Sequence, residues 1–312
     1  MPRPKVIQSP AMRSRIIPIQ SGTPSTDSIE VAHVSASGAL TGRHTAIPNW
    51  SGTTSDPDLV AAPGGGMRLV FGGHRTTVTG DPYNEGYVYY ATSDGTGASW
   101  TLAPNTAPAV ANLGGYVSSG TGVTTLADGT LVTAFPFHST IHYQLGAGPV
   151  QSFDTPACCV YDMSLATDGS GAVYAAWYSN GGVPGAQGTL VRQIHPTLGP
   201  VVQAPNGVTG NDQAMALVTR PDGGVYLAYP RGELNNQGYA LWQLGTGTVR
   251  KVPGSKGATH LAMSAVFRSL SSRKPRTSWP RFSSTTSATL AASTIRKPLP
   301  PTSQPITRSV SA

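Results

Sequence analysis

LVAAPGGGMRLVF (residues 59–71) is one of four copies of a phrase that decides the fold of this chain. Each copy has a short apolar run, a turn rich in Gly, and a second apolar run that ends in an aromatic residue. The other copies are VTTLADGTLVTAF (123–135), MSLATDGSGAVYAAW (163–177) and MALVTRPDGGVYLAY (215–229). Self-similarity of this kind is typical of β architectures that repeat around an axis.

Each phrase predicts a β-hairpin. Asp-Gly or Gly-Gly between β-branched and aromatic runs favours a primed turn, because these residues accept a positive φ. In the third copy, Val173, Ala175 and Trp177 alternate with Tyr174 and Ala176, as side chains do on the two faces of a strand. Both sets are apolar, which predicts a sheet that packs on both faces.

Two further strand candidates follow every hairpin, so each unit predicts four antiparallel strands, the blade of a β-propeller. The candidates are Gly86–Thr92, Trp100–Ala103, Thr140–Leu145, Val150–Phe153, Thr189–Ile194, Pro200–Ala204, Gly238–Leu244 and Thr248–Val252. Upstream, Ser28–Ser35 and Thr41–Trp50 predict two outer strands without an inner hairpin. No window has the 3.6-residue periodicity of a helix. We therefore expect an all-β fold, an incomplete propeller of four-stranded antiparallel blades over residues 25–265.

The two ends of the chain differ from this repeating part. We expect residues 1–24 to be a flexible segment. Thr259–Ala265 matches the first arm of a fifth hairpin, but no Gly turn follows it. Residues 266–312 contain no Gly and no acidic residue, and their Ser, Thr, Pro and Arg side chains bury too little apolar surface to fold. We expect a disordered basic tail there, either natural or produced by a frameshift near codon 266.

The net positive charge comes from this tail. The formal net charge is +7, yet Arg268–Ala312 holds eight basic residues, and residues 1–267 hold 13 Lys and Arg against 14 Asp and Glu. A specific nucleic-acid partner would require a basic patch on the folded part, so we expect none. The low charged content (11%), with 37 Gly and 27 Pro, is common in extracellular bacterial β-proteins. The N-terminal residues lack the apolar stretch of a signal peptide.

No cofactor or metal motif accompanies the repeats. Gly64–Gly66 is not followed by the Lys-Ser/Thr of a phosphate-binding loop. The adjacent Cys158 and Cys159 lack a second Cys or His pair at ligand spacing, and they form either two free thiols or a strained vicinal disulfide. No apolar run approaches the roughly 18 residues of a membrane span. We expect a monomer without cofactor, metal or membrane span.

One segment resembles a known motif. Thr92–Trp100 (TSDGTGASW) is similar to the Asp-box of sialidase-type propellers, Ser/Thr-x-Asp-x-Gly-x-x-Trp, with one additional residue between Asp94 and Trp100. Together with VYAAW after Asp168-Gly169, it makes the chain resemble the sialidase-like, BNR-repeat propeller superfamily over roughly residues 25–265. In that family the box stabilises the blade away from the active site, so this motif supports a propeller fold and says little about activity.

The resemblance also implies glycan-binding or glycosidase ancestry and a carbohydrate ligand. Sialidases hold the substrate carboxylate with three arginines and use a Tyr nucleophile with a Glu partner and an acidic acid/base residue. The family's first arginine stands in Phe-Arg-Ile-Pro, whereas this chain has Arg15-Ile16-Ile17-Pro18, with an insertion and no Phe. We expect a chain without a complete exo-sialidase set. The alternative is a non-enzymatic propeller that serves as a protein or cell-surface interaction scaffold.

Candidate ligand-binding residues are Arg75, its neighbour His74, and Arg231. Both arginines follow a second arm, where strands emerge into the loops between blades. A planar guanidinium suits a carboxylate ligand, so we expect a polar site at one rim of the propeller. Exposed loop charges are the alternative interpretation.

Candidate catalytic carboxylates are Asp56 and Asp58, which precede a first arm, and Glu233, two residues after Arg231. A positioned carboxyl group can serve as a general acid or base. The alternative for the two aspartates is a turn-forming role.

Overall fold

The computed structural model describes residues 13–19, 27–34, 40–50, 52–62, 65–75, 87–102, 120–137, 139–155, 160–180, 187–207, 215–232 and 237–256. Every regular element in these ranges is a β-strand. No helix among these residues is long and apolar enough to cross a membrane. The strands form five antiparallel sheets, and within each sheet the strands pair in chain order.

The sheets are numbered 1 to 5 along the chain, and sheets 2 to 5 have four strands each. Their strands are: sheet 1, β1 (Arg13–Ile19), β2 (Asp27–Val34), β3 (Leu40–Trp50); sheet 2, β4 (Gly52–Ala61), β5 (Met67–Arg75), β6 (Tyr87–Ser93), β7 (Trp100–Leu102); sheet 3, β8 (Gly122–Thr125), β9 (Leu131–Phe137), β10 (Thr140–Leu145), β11 (Gln151–Asp154); sheet 4, β12 (Val160–Thr167), β13 (Val173–Ser179), β14 (Gly188–His195), β15 (Val202–Gln203); sheet 5, β16 (Ala216–Thr219), β17 (Val225–Arg231), β18 (Gly238–Gln243), β19 (Val249–Lys251).

The repeated phrases form the first two strands of sheets 2 to 5, and the two predicted outer strands follow in each sheet. The prediction of an all-β propeller with four-stranded antiparallel blades is therefore confirmed. Sheet 1 contains the two predicted upstream strands and also β1, which pairs with β2 over Arg13–Ile19, where no strand was predicted. The predicted tail over residues 266–312 lies outside the described residues.

The hairpin turns differ in type from the primed turns that we predicted. In sheet 3 the Leu126 amide donates to the Thr130 carbonyl at 2.9 Å, and the Gly129 amide donates back to the Leu126 carbonyl at 2.9 Å. This is a three-residue loop, in which a type I turn is followed by a left-handed Gly. The same bonds recur in sheets 2, 4 and 5. The left-handed glycines of the four loops are Gly65, Gly129, Gly171 and Gly223.

The first strands of neighbouring sheets run side by side in the same direction. Between β12 and β16, the Met215 amide donates to Asp162 Oδ2 at 2.8 Å, and further along, Thr219 Oγ1 donates to the Thr167 carbonyl at 2.6 Å. β8 likewise contacts both β4 and β12. The four-stranded sheets are thus arranged in succession with their first strands adjacent. We call the end at which the first and third strands begin, and the second strand ends, the entry rim.

The core lies between the sheets. Val173, Ala175 and Trp177 of β13 pack with side chains of sheet 3, whereas Ala176 and Tyr178 pack with side chains of sheet 5. Both faces of this strand are therefore apolar and buried, as the alternation in the sequence predicted. The alternation shows which neighbouring sheet a side chain near the rim faces.

Candidate functional site

The topology brings both predicted arginines to the entry rim. Arg75 is the last residue of β5 and Arg231 the last residue of β17, so they lie at equivalent strand ends in sheets 2 and 5. The side chains of Asp56, His74 and Arg75 lie outside the described residues, and so does all of Glu233. Among the predicted ligand-binding residues, the described side chain is that of Arg231.

Arg231 has a buried donor without an acceptor among the described residues. Its side chain is half-buried, and its Nε atom has no hydrogen-bond partner among the described residues. A guanidinium keeps its charge and offers only donors. A buried donor left unpaired costs about 1–3 kcal/mol, so this position favours an acceptor that the described chain does not supply.

Tyr229 lies two residues before Arg231, on the same face of β17. It is fully buried, and its hydroxyl donates to the Pro205 carbonyl at 2.6 Å. Burial raises the pKa of Tyr229 to about 12, while the positive charge of Arg231 acts in the opposite direction. The Tyr229 side chain is thus neutral and held in place by its hydrogen bond, next to Arg231 on the same strand face.

Asp58 is held by backbone amides on both carboxylate oxygens. Oδ1 accepts from the Leu59 amide at 2.8 Å, and Oδ2 accepts from the Val123 amide of the neighbouring sheet at 2.9 Å. Burial raises the pKa of Asp58 to about 6, and the bonds from Val123 and Leu59 act against that rise. These contacts support a structural role, in which the carboxylate joins sheet 2 to sheet 3.

Asp162 repeats this arrangement between sheets 4 and 5, although it was not among the residues predicted from the sequence. Its Oδ1 accepts from the Met163 amide at 3.0 Å, and its Oδ2 accepts from the Met215 amide at 2.8 Å. It has a φ of 51° and lies at a register shift within β12. A signal was present, because an Asp directly precedes the phrase in both its first and third copies.

The segment that resembles an Asp-box forms a hydrogen-bonded turn between β6 and β7, at the rim opposite the entry rim. Asp94 Oδ1 accepts from the Thr96 amide at 2.9 Å, and Trp100 Nε1 donates to the Gly97 carbonyl at 3.1 Å. His44 Nε2 of sheet 1 lies 2.6 Å from the same carbonyl oxygen. The hydroxyl of Ser99, with other donors of the turn, holds the pKa of Asp94 well below its usual range. These contacts fasten the turn structurally.

Further buried polar atoms lack a hydrogen-bond partner among the described residues. They are Trp177 Nε1, Ser179 Oγ, Thr189 Oγ1 and Tyr239 Oη. All four residues are fully buried. Such groups are uncommon in native proteins, and each calls for an explanation. The sequence did not indicate them, because it does not show whether a polar side chain within a strand has a hydrogen-bond partner.

Within the described ranges, no group of three or more His, Cys, Asp or Glu side chains could hold a metal ion. Cys158 and Cys159 lie outside these ranges. At the entry rim, the described part of the chain offers hydrogen-bond donors: the Arg231 guanidinium and the buried hydroxyls of Ser179 and Thr189.

Comparison with known proteins supports the fold. No family model and no curated protein matches the chain. A protein of unknown function from Dyadobacter fermentans DSM 18053 superposes with a TM-score of 0.56 at 15% identity, over 78% of this chain and 76% of that chain. An alpha-L-arabinanase from Penicillium chrysogenum, complexed with arabinobiose, has a TM-score of 0.47 at 14% identity, over 74% and 71%. Virginiamycin B lyase from Staphylococcus aureus has a TM-score of 0.42 at 11% identity, over 82% and 94%.

Identities this low show a fold at most, and of these three structures the Dyadobacter protein is similar enough to support that conclusion. The class of protein that the sheets define is a β-propeller. Its specific resemblance to the sialidase-like group stays a prediction.

Proposed function

We propose that this protein is a glycan-binding propeller of sialidase-like ancestry. Arg231 at the entry rim binds the carboxylate of an acidic sugar, and the chain lacks a complete catalytic set. The single observation that carries the proposal is the buried Nε of Arg231, which has no acceptor among the described residues. A ligand carboxylate would supply that acceptor through a charge-assisted hydrogen bond.

The surroundings of Arg231 support a ligand at this strand end. Tyr229 places a buried aromatic ring on the same face of the strand, and its hydroxyl is already bonded to Pro205. Because the Tyr229 ring is fully buried, it fixes the packing beside Arg231, and the guanidinium is the group that contacts the ligand. Arg75 lies at the equivalent strand end of sheet 2 and is the second arginine that we propose for this rim.

Of the three candidate catalytic carboxylates, the side chain of Asp58 is described, and its contacts are structural. Asp58 has both oxygens engaged by backbone amides. A retaining glycosidase requires two catalytic groups about 5–5.5 Å apart across the scissile bond, and Asp58 has no such role in its present contacts. We therefore expect binding of a sialoside without its hydrolysis.

Isothermal titration calorimetry with sialyllactose and lactose tests this function. The two sugars share a neutral part, and only sialyllactose has a carboxylate. We expect binding of sialyllactose alone, and Arg231→Ala should weaken it roughly 10- to 100-fold, as expected for a lost hydrogen bond to a charged group. Arg250→Ala is the matched control, because Arg250 is exposed on β19 and should leave the affinity unchanged.

Equal affinities for the two sugars, or unchanged binding in Arg231→Ala, would contradict the proposal. A glycan screen without any binding would favour the interaction scaffold. Turnover of a fluorogenic sialoside that disappears in Arg231→Ala would show instead that the chain is an enzyme.

A further inference from the structure

Thr189 is a fully buried residue near the start of β14, and its hydroxyl has no partner among the described residues. Two residues later on the same face, Val191 packs with side chains of sheet 5. Leu190, on the other face, packs with sheet 3. Because side chains alternate along a strand, the Thr189 hydroxyl faces the interface between sheets 4 and 5.

Arg231 faces the same interface from the opposite sheet. Tyr229, two residues earlier on β17, belongs to the apolar cluster shared by sheets 4 and 5, so Arg231 continues that face toward the rim. β14 begins at the entry rim and β17 ends there. These two donors, which have no acceptor in the described part of the chain, therefore occupy the same end of one interface.

A short segment after β15 connects the two positions. The Ala204 amide donates to the Thr189 carbonyl at 2.8 Å, and the next carbonyl, of Pro205, accepts the Tyr229 hydroxyl at 2.6 Å. Thr189 and Tyr229 therefore contact adjacent residues of the same segment. This places the Thr189 hydroxyl close to the strand end that carries Arg231.

We propose that Thr189 and Arg231 are two donors of one carboxylate-binding cleft between sheets 4 and 5. This inference rests on the proposed function and names the partner residue of Arg231. One carboxylate has two oxygens and accepts several hydrogen bonds, so it satisfies a hydroxyl and a guanidinium N–H together. A neutral sugar would leave the guanidinium without a counter-charge.

The burial of Thr189 has a kinetic consequence. A ligand reaches a fully buried hydroxyl only when the side chains around it move apart, and binding that needs such a change has a low association rate. We expect acidic ligands to associate more slowly with this site than they would with a preformed site on the protein surface.

Ser179 provides a matched control within the same sheet. It is also fully buried, with a hydroxyl unpaired among the described residues. It shares a face of β13 with Trp177, which packs toward sheet 3, so its hydroxyl lies on the opposite side of sheet 4. Ser179→Ala removes a similar group without affecting the proposed cleft.

The test compares Thr189→Val, Arg231→Ala and Ser179→Ala with the wild type. Sodium acetate, N-acetylneuraminate and its methyl ester are titrated by thermal shift and calorimetry. We expect both carboxylates to bind the wild type and the ester to bind at least tenfold more weakly. Thr189→Val should weaken both carboxylates about tenfold, as for one lost hydrogen bond, and Ser179→Ala should not. Without ligand, Thr189→Val should have an unchanged or higher melting temperature, since it removes an unpaired buried hydroxyl.

The other outcomes either separate the cleft from the glycan function or overturn both. Acetate binding that depends on both donors, without any glycan binding, would support the cleft and contradict the glycan function. Loss of sialoside binding in Arg231→Ala but not in Thr189→Val would overturn the cleft and leave the function standing. Absence of binding by either carboxylate would overturn both. A large fall in the melting temperature of ligand-free Thr189→Val would show that the hydroxyl is paired, which also overturns the cleft.

Discussion

Gly169 and Gly223 touch backbone to backbone where the hairpin turns of sheets 4 and 5 meet. The Gly169 amide donates to the Gly223 carbonyl at 3.0 Å. A Cβ atom added to Gly169 would lie 2.9 Å from the Gly223 Cα, closer than real side chains approach. Adjacent blades are thus joined, at the rim opposite the entry rim, by direct contact between two turns. Neither turn has room for a side chain at this point.

Gly169→Ala should destabilise the protein by about 1–3 kcal/mol, the usual range for overpacking. Gly169 does not have a positive φ, so its backbone conformation suits Ala. The lost stability therefore comes from the steric contact of the new Cβ with Gly223. Denaturant unfolding measures the change. Gly95→Ala is the control, because a Cβ at Gly95 meets no atom within 4 Å. Equal stabilities of the two variants would refute the prediction.

The Asp162 carboxylate should contribute measurably to the attachment of sheet 5. Asp162→Ala leaves the Met163 and Met215 amides without their acceptor, which costs about 1–3 kcal/mol. The left-handed φ of 51° adds about 1 kcal/mol for Ala but not for Gly. We therefore expect thermal unfolding to rank the wild type above Asp162→Gly, and Asp162→Gly above Asp162→Ala.

Asp154→Ala is the control for that series, since Asp154 is exposed at the end of β11 and its carboxylate accepts a bond from the Thr140 hydroxyl, whose loss should cost about 0.5–1 kcal/mol. A melting temperature of Asp162→Gly equal to that of the wild type would show that the carboxylate does not join the sheets.

Asp58 should make the protein less stable as the pH rises from about 4 to 6. Its pKa is raised from 3.8 to about 6 by burial, so the folded state holds the proton more tightly than the unfolded chain does. The stabilisation is complete below the unfolded value and is lost as the pH rises through the folded one. Melting temperatures between pH 4 and pH 7 should fall more in the wild type than in Asp58→Asn. Parallel curves for the two proteins would contradict this prediction.

The fold was largely predictable because its signals are local. Each hairpin depends on a Gly in a three-residue loop and on alternating apolar runs, and both can be read within about 15 residues of sequence. The loop type was mispredicted, because Asp128-Gly129 suits a primed turn as well as the type I turn with a left-handed Gly that forms. β1 was missed because its sequence, RSRIIPI, has neither the alternation nor the turn signals of a hairpin.

The candidate site was less predictable because it depends on contacts between distant residues. Arg231 could be selected from its place after a second arm. Thr189 could not, since only the packing of sheet 4 against sheet 5 shows which way its hydroxyl faces. The pairing of Asp162 with Met215 joins residues 53 positions apart. Neither the composition nor the spacing of motifs shows that these two residues are in contact.

Two tyrosines of sheet 5 offer a direct test of the hydrogen bonding described for it. Tyr229 and Tyr239 are both fully buried. The Tyr229 hydroxyl donates to the Pro205 carbonyl at 2.6 Å, whereas the Tyr239 hydroxyl has no partner in the described part of the chain. Tyr229→Phe should therefore lower the free energy of unfolding by about 1 kcal/mol, and Tyr239→Phe should leave it unchanged or raise it.

Each substitution removes one oxygen from a buried ring, so the lost volume is the same and the difference between the variants isolates the hydrogen bond. Denaturant unfolding at pH 7 measures it, because burial raises the pKa of both hydroxyls and keeps them protonated there. A Tyr239→Phe protein as destabilised as Tyr229→Phe would show that the Tyr239 hydroxyl has an acceptor in the folded protein.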